Sequence, residues 1–327
     1  MAGTMSVNPK DLEAIIQSKE WTPEQQVQEL KRRMSLIFSL MAPPEDLPFT
    51  PRPSDVICAV PHKNGTTWLS HICHQIRMQG AEPDFKEQTD VVCFLEASKK
   101  MFGVEPENFV QPAEPRLFLS HLPYFRVPKG GKVIYLFRDQ KDALFSMYRM
   151  FDSIAALKGR VSLAIFSQAI IKSGRIEETI KDLLIWWEHR HDDDVLLLFF
   201  DELKEDHTGS VRRIAKFMGV DCSEEVLARV VHTTTHSEMA KQSSKFDVAK
   251  MRKIVPEKLG EAPVYDETFV GRVRKDGGKS NDGKILPPSV QEYIEEKWNE
   301  IVMSKLGFKS LREMYGARRK ELDLHIT

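Results

Sequence analysis

The chain reads as an α/β domain with a central parallel sheet flanked by helices, on three observations. Four short, largely apolar runs, Val56–Val60, Arg116–Ser120, Lys132–Phe137 and Val195–Phe200, are each followed by polar residues and then a helical pattern. Apolar strands that alternate with helices mark a parallel sheet covered on both faces. The residues best suited to chemistry, Lys63, His121, Arg138 and Asp201, stand just past the ends of those runs. In such sheets the carboxyl ends of the strands are where ligands gather. Finally, 327 residues with 41% apolar and 29% charged content suit a large globular core, and no internal repeat divides the chain.

Composition also excludes some classes. The 47 basic and 48 acidic residues nearly cancel, so no global charge draws the chain to nucleic acid or an anionic membrane. Any anion site must be local. Cys58, Cys73, Cys93 and Cys222 form no C-x-x-C pair and are expected as free thiols in a reducing compartment. The opening Met-Ala-Gly-Thr-Met-Ser has no apolar run, and no stretch nears ~18 apolar residues. A cytoplasmic location with no membrane partner is the expectation.

Before the first strand, Asn8-Pro9 and Thr22-Pro23-Glu24-Gln25 both have the form of a helix start, the second with a capping-box glutamine. Val27, Leu30, Met34, Ile37, Phe38 and Met41 then recur at helical spacing. The helix stops before Pro43-Pro44. Residues 1–54 are therefore read as a helical cap, part of the same domain as 55–327 and bordering an acceptor pocket.

At 55–69 an apolar strand runs into a loop holding Lys63, Asn64 and Gly65, and Thr66, Thr67 and Trp68 open a helix. That order makes an anion site: uncommitted N–H groups at a helix start, its positive dipole end, a cation and a glycine for close approach. It shares the logic of the nucleotide P-loop without the G-x-x-x-x-G-K-[ST] spelling. A second motif, Arg138-x-x-Lys141-Asp142-x-x-x-Ser146, leaves the end of a strand and enters a helix. Two turns of helix bring the guanidinium and the hydroxyl onto one surface, where they can meet a phosphate. A third, Ser120-His121-Leu122-Pro123, sets an imidazole at a strand end, suited to accept a proton near neutral pH.

Together, and in this chain order, the motifs resemble the cytosolic sulfotransferases, which use 3′-phosphoadenosine 5′-phosphosulfate (PAPS). The resemblance covers roughly residues 55 to 280 and implies the P-loop-kinase-like sulfotransferase fold. It implies that Lys63 to Thr67 hold the 5′-phosphosulfate and that Lys63 also takes part in the transfer. By the same resemblance Arg138 and Ser146 hold the 3′-phosphate, and His121 is the catalytic base. Trp68 falls at the adenine-stacking position, Phe200 at that of a base-contacting tyrosine, and Thr234 and His236 at adenine-contacting positions. Arg272, Arg274, Lys275 and Gly277 match a glycine-rich segment that closes over the 3′-phosphate, in an ambiguous register. Departures are Leu119, where many members carry lysine, and Phe200, which keeps only apolar contact with the base.

The function expected is transfer of the sulfuryl group of PAPS to a hydroxyl or amine of a small-molecule acceptor, by in-line displacement that requires no metal. Two other classes stay open: a nucleotide-dependent small-molecule kinase, and a non-catalytic nucleotide-binding relative, favoured by Leu119, Phe200 and the irregular 272–283 segment. A Walker reading of Gly278-Lys279-Ser280 fails because Val273 occupies its first glycine. His62, His71, Cys73 and His74 are close enough in sequence to suggest zinc, but His71, Cys73 and His74 belong to a helix expected to pack on the sheet. Phe85, Phe94, Met101, Phe102, Phe109, Phe151, Phe166, Phe246 and Tyr265 are candidates for an apolar acceptor pocket. Glu96 or Asp152 would receive a cationic acceptor. No C-terminal dimer motif is legible around 284–295, so a homodimer is left open.

Overall fold

In this computed structural model the described residues are 21–41, 47, 49–247, 249–261, 273 and 282–324. The helix start at Asn8-Pro9, most of 42–48 and most of 262–281, with Tyr265, Arg272, Arg274, Lys275 and Gly277, lie outside them.

Helix α1 (Pro23–Ser39) begins as its sequence requires. Gln25 N–H donates to Thr22 Oγ1 at 3.3 Å, and Thr22 N–H donates back to Gln25 Oε1 at 2.8 Å. Leu30 and Ile37 of its apolar stripe are buried, while Val27 and Phe38 remain partly exposed. Arg33 is buried among them because its guanidinium is satisfied by Glu29, Glu261 and the carbonyl of Ala155.

Among the described residues five parallel strands follow: β1 (Val56–Ala59), β2 (Cys93–Phe94), β3 (Leu117–Ser120), β4 (Lys132–Phe137) and β5 (Val195–Phe199). Their order across the sheet is β2-β3-β1-β4-β5. Strand β1 is central, with Cys58 in register with Leu119 on one side and Ile134 on the other. The chain steps to one side of β1 for β2 and β3, then to the other for β4 and β5, so the crevice opens at the carboxyl end of β1. Nearly every strand residue is fully buried, as a sheet covered on both faces demands. Strand β2 has no sequence signature, being only two residues long. Strand β5 ends at Phe199, one residue earlier than its apolar run, because Phe200 already starts a helix.

The covering helices are α2 (Thr66–Arg77), α3 (Gln140–Ile154), α4 (Leu163–Lys172), α5 (Arg175–Glu188), α6 (Phe200–Glu205), α7 (His207–Met218), α8 (Glu224–Thr233), α9 (His236–Lys241), α10 (Ala249–Leu259), α11 (Pro288–Trp298) and α12 (Leu311–Leu324). Caps are explicit in the sequence: Asp139 accepts from Lys141 N–H before α3, and Ser162 and Ser223 start α4 and α8. Helix α11, opened by Pro287-Pro288, passes into a π-helical segment (Asn299–Met303) after Trp298.

All four cysteines are free thiols, and Cys58 Sγ lies 3.8 Å from Cys73 Sγ across the β1–α2 packing. His71 and His74 are buried, and burial is the first cause that holds them down at about 4 and about 3. The Arg77 guanidinium donates to His74 Nδ1, so that nitrogen is already engaged as an acceptor. Among the described residues no helix is long and apolar enough to cross a membrane.

Candidate active site

The loop after β1 is built to expose backbone amides. Gly65 precedes α2 with φ +111° and no side-chain cap. The leading N–H groups of the helix are therefore not taken up by a capping side chain, and the positive end of its dipole is open. A Cβ at Gly65 would meet Leu136 Cδ2 and Phe200 Cδ2, both at 2.8 Å, so glycine is required by space as well as by φ. Lys63 also has positive φ, 66°, an uncommon conformation for a lysine and one that clusters at binding loops.

A cavity of about 200 Å³ opens at this loop. It brings together Lys63, Gly65, Thr66, Thr67, Trp68, His121, Arg138, Ser146, Phe200 and His236, drawn from strand ends and from the helices α2, α3, α6 and α9. Two expected residues stand behind its wall. Asn64 is fully buried: its Oδ1 accepts from the backbone N–H of Arg138 at 2.7 Å and from Gln140 Nε2, and its Nδ2 donates to His62 O. Thr234 is also fully buried, with its hydroxyl on Val230 O and its carbonyl accepting from Trp68 Nε1–H at 2.8 Å. Trp68 is thereby fixed in orientation, stacked on His207 with centroids 5.3 Å apart and edge-on to Phe200 at 5.4 Å.

Two buried polar atoms on this wall have no partner, Thr66 Oγ1 and Arg138 Nε. Buried polar groups are ordinarily satisfied, so these atoms fit a wall made for an anionic ligand. The Arg138 guanidinium lies over the Phe200 ring at 4.6 Å and reaches Asp142 Oδ2 at 3.4 Å. Asp142 in turn accepts from Gly283 N–H at 2.9 Å, which pins residues 282–285 against α3. Arg138, Phe200 and Asp142 thus hold one planar fork in place.

His121 stands across the cavity. Its Nδ1 is 2.6 Å from Val60 O, a carbonyl that can only accept. The neutral ring therefore carries its hydrogen on Nδ1 and keeps a lone pair on Nε2. Its backbone N–H donates to Glu96 Oε1 at 2.6 Å. Burial pushes the Glu96 carboxyl up to about 7. The His62 ring packs on His121 with centroids 4.0 Å apart, and Phe94 meets it edge-on.

Beyond His62, His121, Phe94 and Met150 a second, narrower cavity of about 40 Å³ continues between α1, α3 and Arg175. Of the aromatic residues expected around an acceptor, Phe94 and Phe151 are here, whereas Phe85 and Phe246 pack with His71, and Phe166 is core. Glu96 and Asp152 line neither cavity: Glu96 supports the His121 backbone and Asp152 accepts from Gly159 N–H at 2.7 Å. Sequence reasoning missed Lys204, Met239 and His62 on the first cavity and His207 behind Trp68. Lys204 follows Phe200 by one helical turn, a spacing that could have found it.

The family model of the sulfotransferase domain matches residues 53–265, which hold the five strands of the described sheet and all three cavity-lining motifs. The chain belongs to the sulfotransferase family. Among curated sulfotransferases, the 1E1 enzyme of Homo sapiens is 31% identical over 205 residues, 60% of this chain and 69% of that protein. The amine sulfotransferase of Oryctolagus cuniculus is 29% identical over 200 residues, 58% of this chain and 64% of that protein. Two solved structures share the fold. Mouse sulfotransferase SULT7A1 complexed with PAP has a TM-score of 0.55, 22% identity, and coverage of 83% of this chain and 91% of that one. Retinol dehydratase in complex with androsterone and PAP has a TM-score of 0.62, 18% identity, and coverage of 82% and 85%. This sulfotransferase-family enzyme therefore has the α/β fold that its strand pattern predicts.

Proposed function

We propose that this enzyme transfers the sulfuryl group of PAPS to a hydroxyl or amine of a small-molecule acceptor, with His121 as general base. One observation carries the reading: the amide-lined turn at Lys63–Thr67, the Arg138 fork and the His121 imidazole line a single cavity. PAPS, when bound, supplies the sulfuryl group and leaves as adenosine 3′,5′-bisphosphate. Two proteins of similar fold are found in complex with PAP, which agrees with that donor.

The chain's own groups then have separate tasks. Arg138 and Ser146 hold the 3′-phosphate, and Asn64 keeps their strand end at a constant distance from the amide turn. Lys63 and the N–H groups at the start of α2 face charge that develops on the departing phosphate oxygen. His121 Nε2 accepts the acceptor's proton, and the resulting imidazolium keeps its Nδ1–H on Val60 O. Trp68 offers the base an aromatic wall whose angle is set by Thr234 and His207. Position and electrostatics dominate such a displacement, as in phosphoryl transfer.

Calorimetry with adenosine 3′,5′-bisphosphate and with ATP, each without magnesium, followed by an acceptor screen with labelled PAPS, tests the proposal. Preferred binding of the bisphosphate and label transfer are expected. Preference for ATP would move the assignment to a kinase, and binding with no transfer to any acceptor would leave a nucleotide-binding relative.

A further inference from the structure

The second cavity is walled by Met34, Met41, Met147, Met150 and by aliphatic and phenyl side chains, yet Arg175 lines it too. Arg175, the first residue of α5, borders this cavity and a smaller neighbour that it shares with His62. One face of its guanidinium lies over the Phe38 ring, 5.3 Å from the centroid, which leaves the N–H edge to be used. Among the described residues Arg175 makes no ion pair or side-chain hydrogen bond. Glu178, one turn along the helix, acts on it only from a distance. No carboxylate among the described residues lines either cavity. The polar groups facing the slot are therefore His62, His121 and Arg175, all of them neutral or positive.

A desolvated guanidinium without a carboxylate partner is costly to keep in an apolar slot. Burial lowers the Arg175 pKa, yet a guanidinium stays charged at neutral pH. The planar fork matches a carboxylate with two parallel hydrogen bonds, while an ammonium in the same slot would meet like charge. The thioether walls can reshape around the part of a ligand between the two ends.

We propose that Arg175 recognises a carboxylate on the acceptor, whose hydroxyl lies at His121, so that the enzyme selects amphipathic anionic hydroxyl compounds over amines. This rests on the sulfotransferase reading above and names its acceptor class.

The test uses the full chain and a matched pair of acceptors, hydroxyphenylpropanoate and its methyl ester. Wild-type protein is expected to favour the carboxylate in kcat/KM. Arg175→Met should lower that preference roughly 10- to 100-fold, chiefly through KM for the carboxylate, and Arg175→Lys should retain part of it. A wild-type preference for the ester, or the same preference ratio in Arg175→Met, overturns the proposal. Binding is read separately by calorimetry of hydroxyphenylpropanoate with adenosine 3′,5′-bisphosphate present. Binding that is lost in Arg175→Met supports the carboxylate site even without turnover, in which case it is the transferase reading that fails. Absence of binding to the wild-type protein overturns the carboxylate site.

Discussion

The backbone N–H of Arg138 donates to Asn64 Oδ1 at 2.7 Å, so the turn after β1 and the end of β4 are joined through one buried amide. The same side chain holds Gln140 and the carbonyl of His62. The separation between the turn at 63–67 and the Arg138 side of the cavity is thus set by a residue that does not face it.

Asn64→Ala should therefore act on both stability and binding. The Arg138 N–H loses its partner in a dry site, which costs about 1–3 kcal/mol. Affinity for adenosine 3′,5′-bisphosphate should fall roughly tenfold as the two parts lose their common reference. Urea unfolding and calorimetry on the same preparation measure the two effects. Unchanged values in both would show that the amide bridge is dispensable.

Removal of the imidazole should separate chemistry from nucleotide binding. His121→Ala is expected to lower turnover on the order of 10²–10⁴-fold and to change bisphosphate affinity only a few-fold. Single-turnover kinetics with labelled PAPS is the measurement. Near-normal turnover would remove His121 as the base.

Arg138 is held as a plane by Phe200 and Asp142, so charge alone does not replace it. Arg138→Lys should weaken bisphosphate binding by about tenfold or more, since a lysine gives neither the fork nor the stacked face. Equal affinity for the two proteins would mean that the 3′-phosphate lies elsewhere.

Gly65→Ala combines positive φ with contacts at 2.8 Å to Leu136 and Phe200. Each factor destabilises by about 1–3 kcal/mol. A lower midpoint in thermal unfolding, with weaker bisphosphate binding, is expected. A variant as stable as wild type would contradict the tight packing beneath the loop.

Stability should also carry a pH signature from Glu96. Burial raises its carboxyl from 4.5 to about 7, so the folded state binds more protons than the unfolded chain between those values. Stability from this group consequently falls as pH rises through that window. Glu96→Gln should remove the fall and gain on the order of 2–3 kcal/mol above neutral pH. His71 and His74, held near 4 and near 3, have the opposite sign: their contribution is lost as pH drops below 6.5. Urea titrations of Glu96→Gln across this range should thus reveal a steeper acid slope than wild type. A profile parallel to wild type would refute the Glu96 assignment.

Much of this site is legible in the chain because its parts are local. Lys63, Gly65, Thr66, Thr67 and Trp68 are neighbours, and a strand–turn–helix needs no distant residue to present backbone amides. Arg138 and Ser146 are eight residues apart on one strand end and helix, and helical geometry alone brings them to one surface. Apolar runs bounded by capping residues likewise announced four of the five strands, while β2 is too short to leave a pattern.

Residue types and their spacing by themselves determined the parallel α/β core, the strand–turn–helix after β1, and an arginine and an imidazole at strand ends. Only the tertiary structure decided which far-separated residues meet: Asn64 with Arg138, His62 with His121, Trp68 with His207, and Phe38 with Arg175. Those pairings follow from the strand order β2-β3-β1-β4-β5 and from helices laid across it. Local periodicity records which face of an element is apolar, but not which element will cover it.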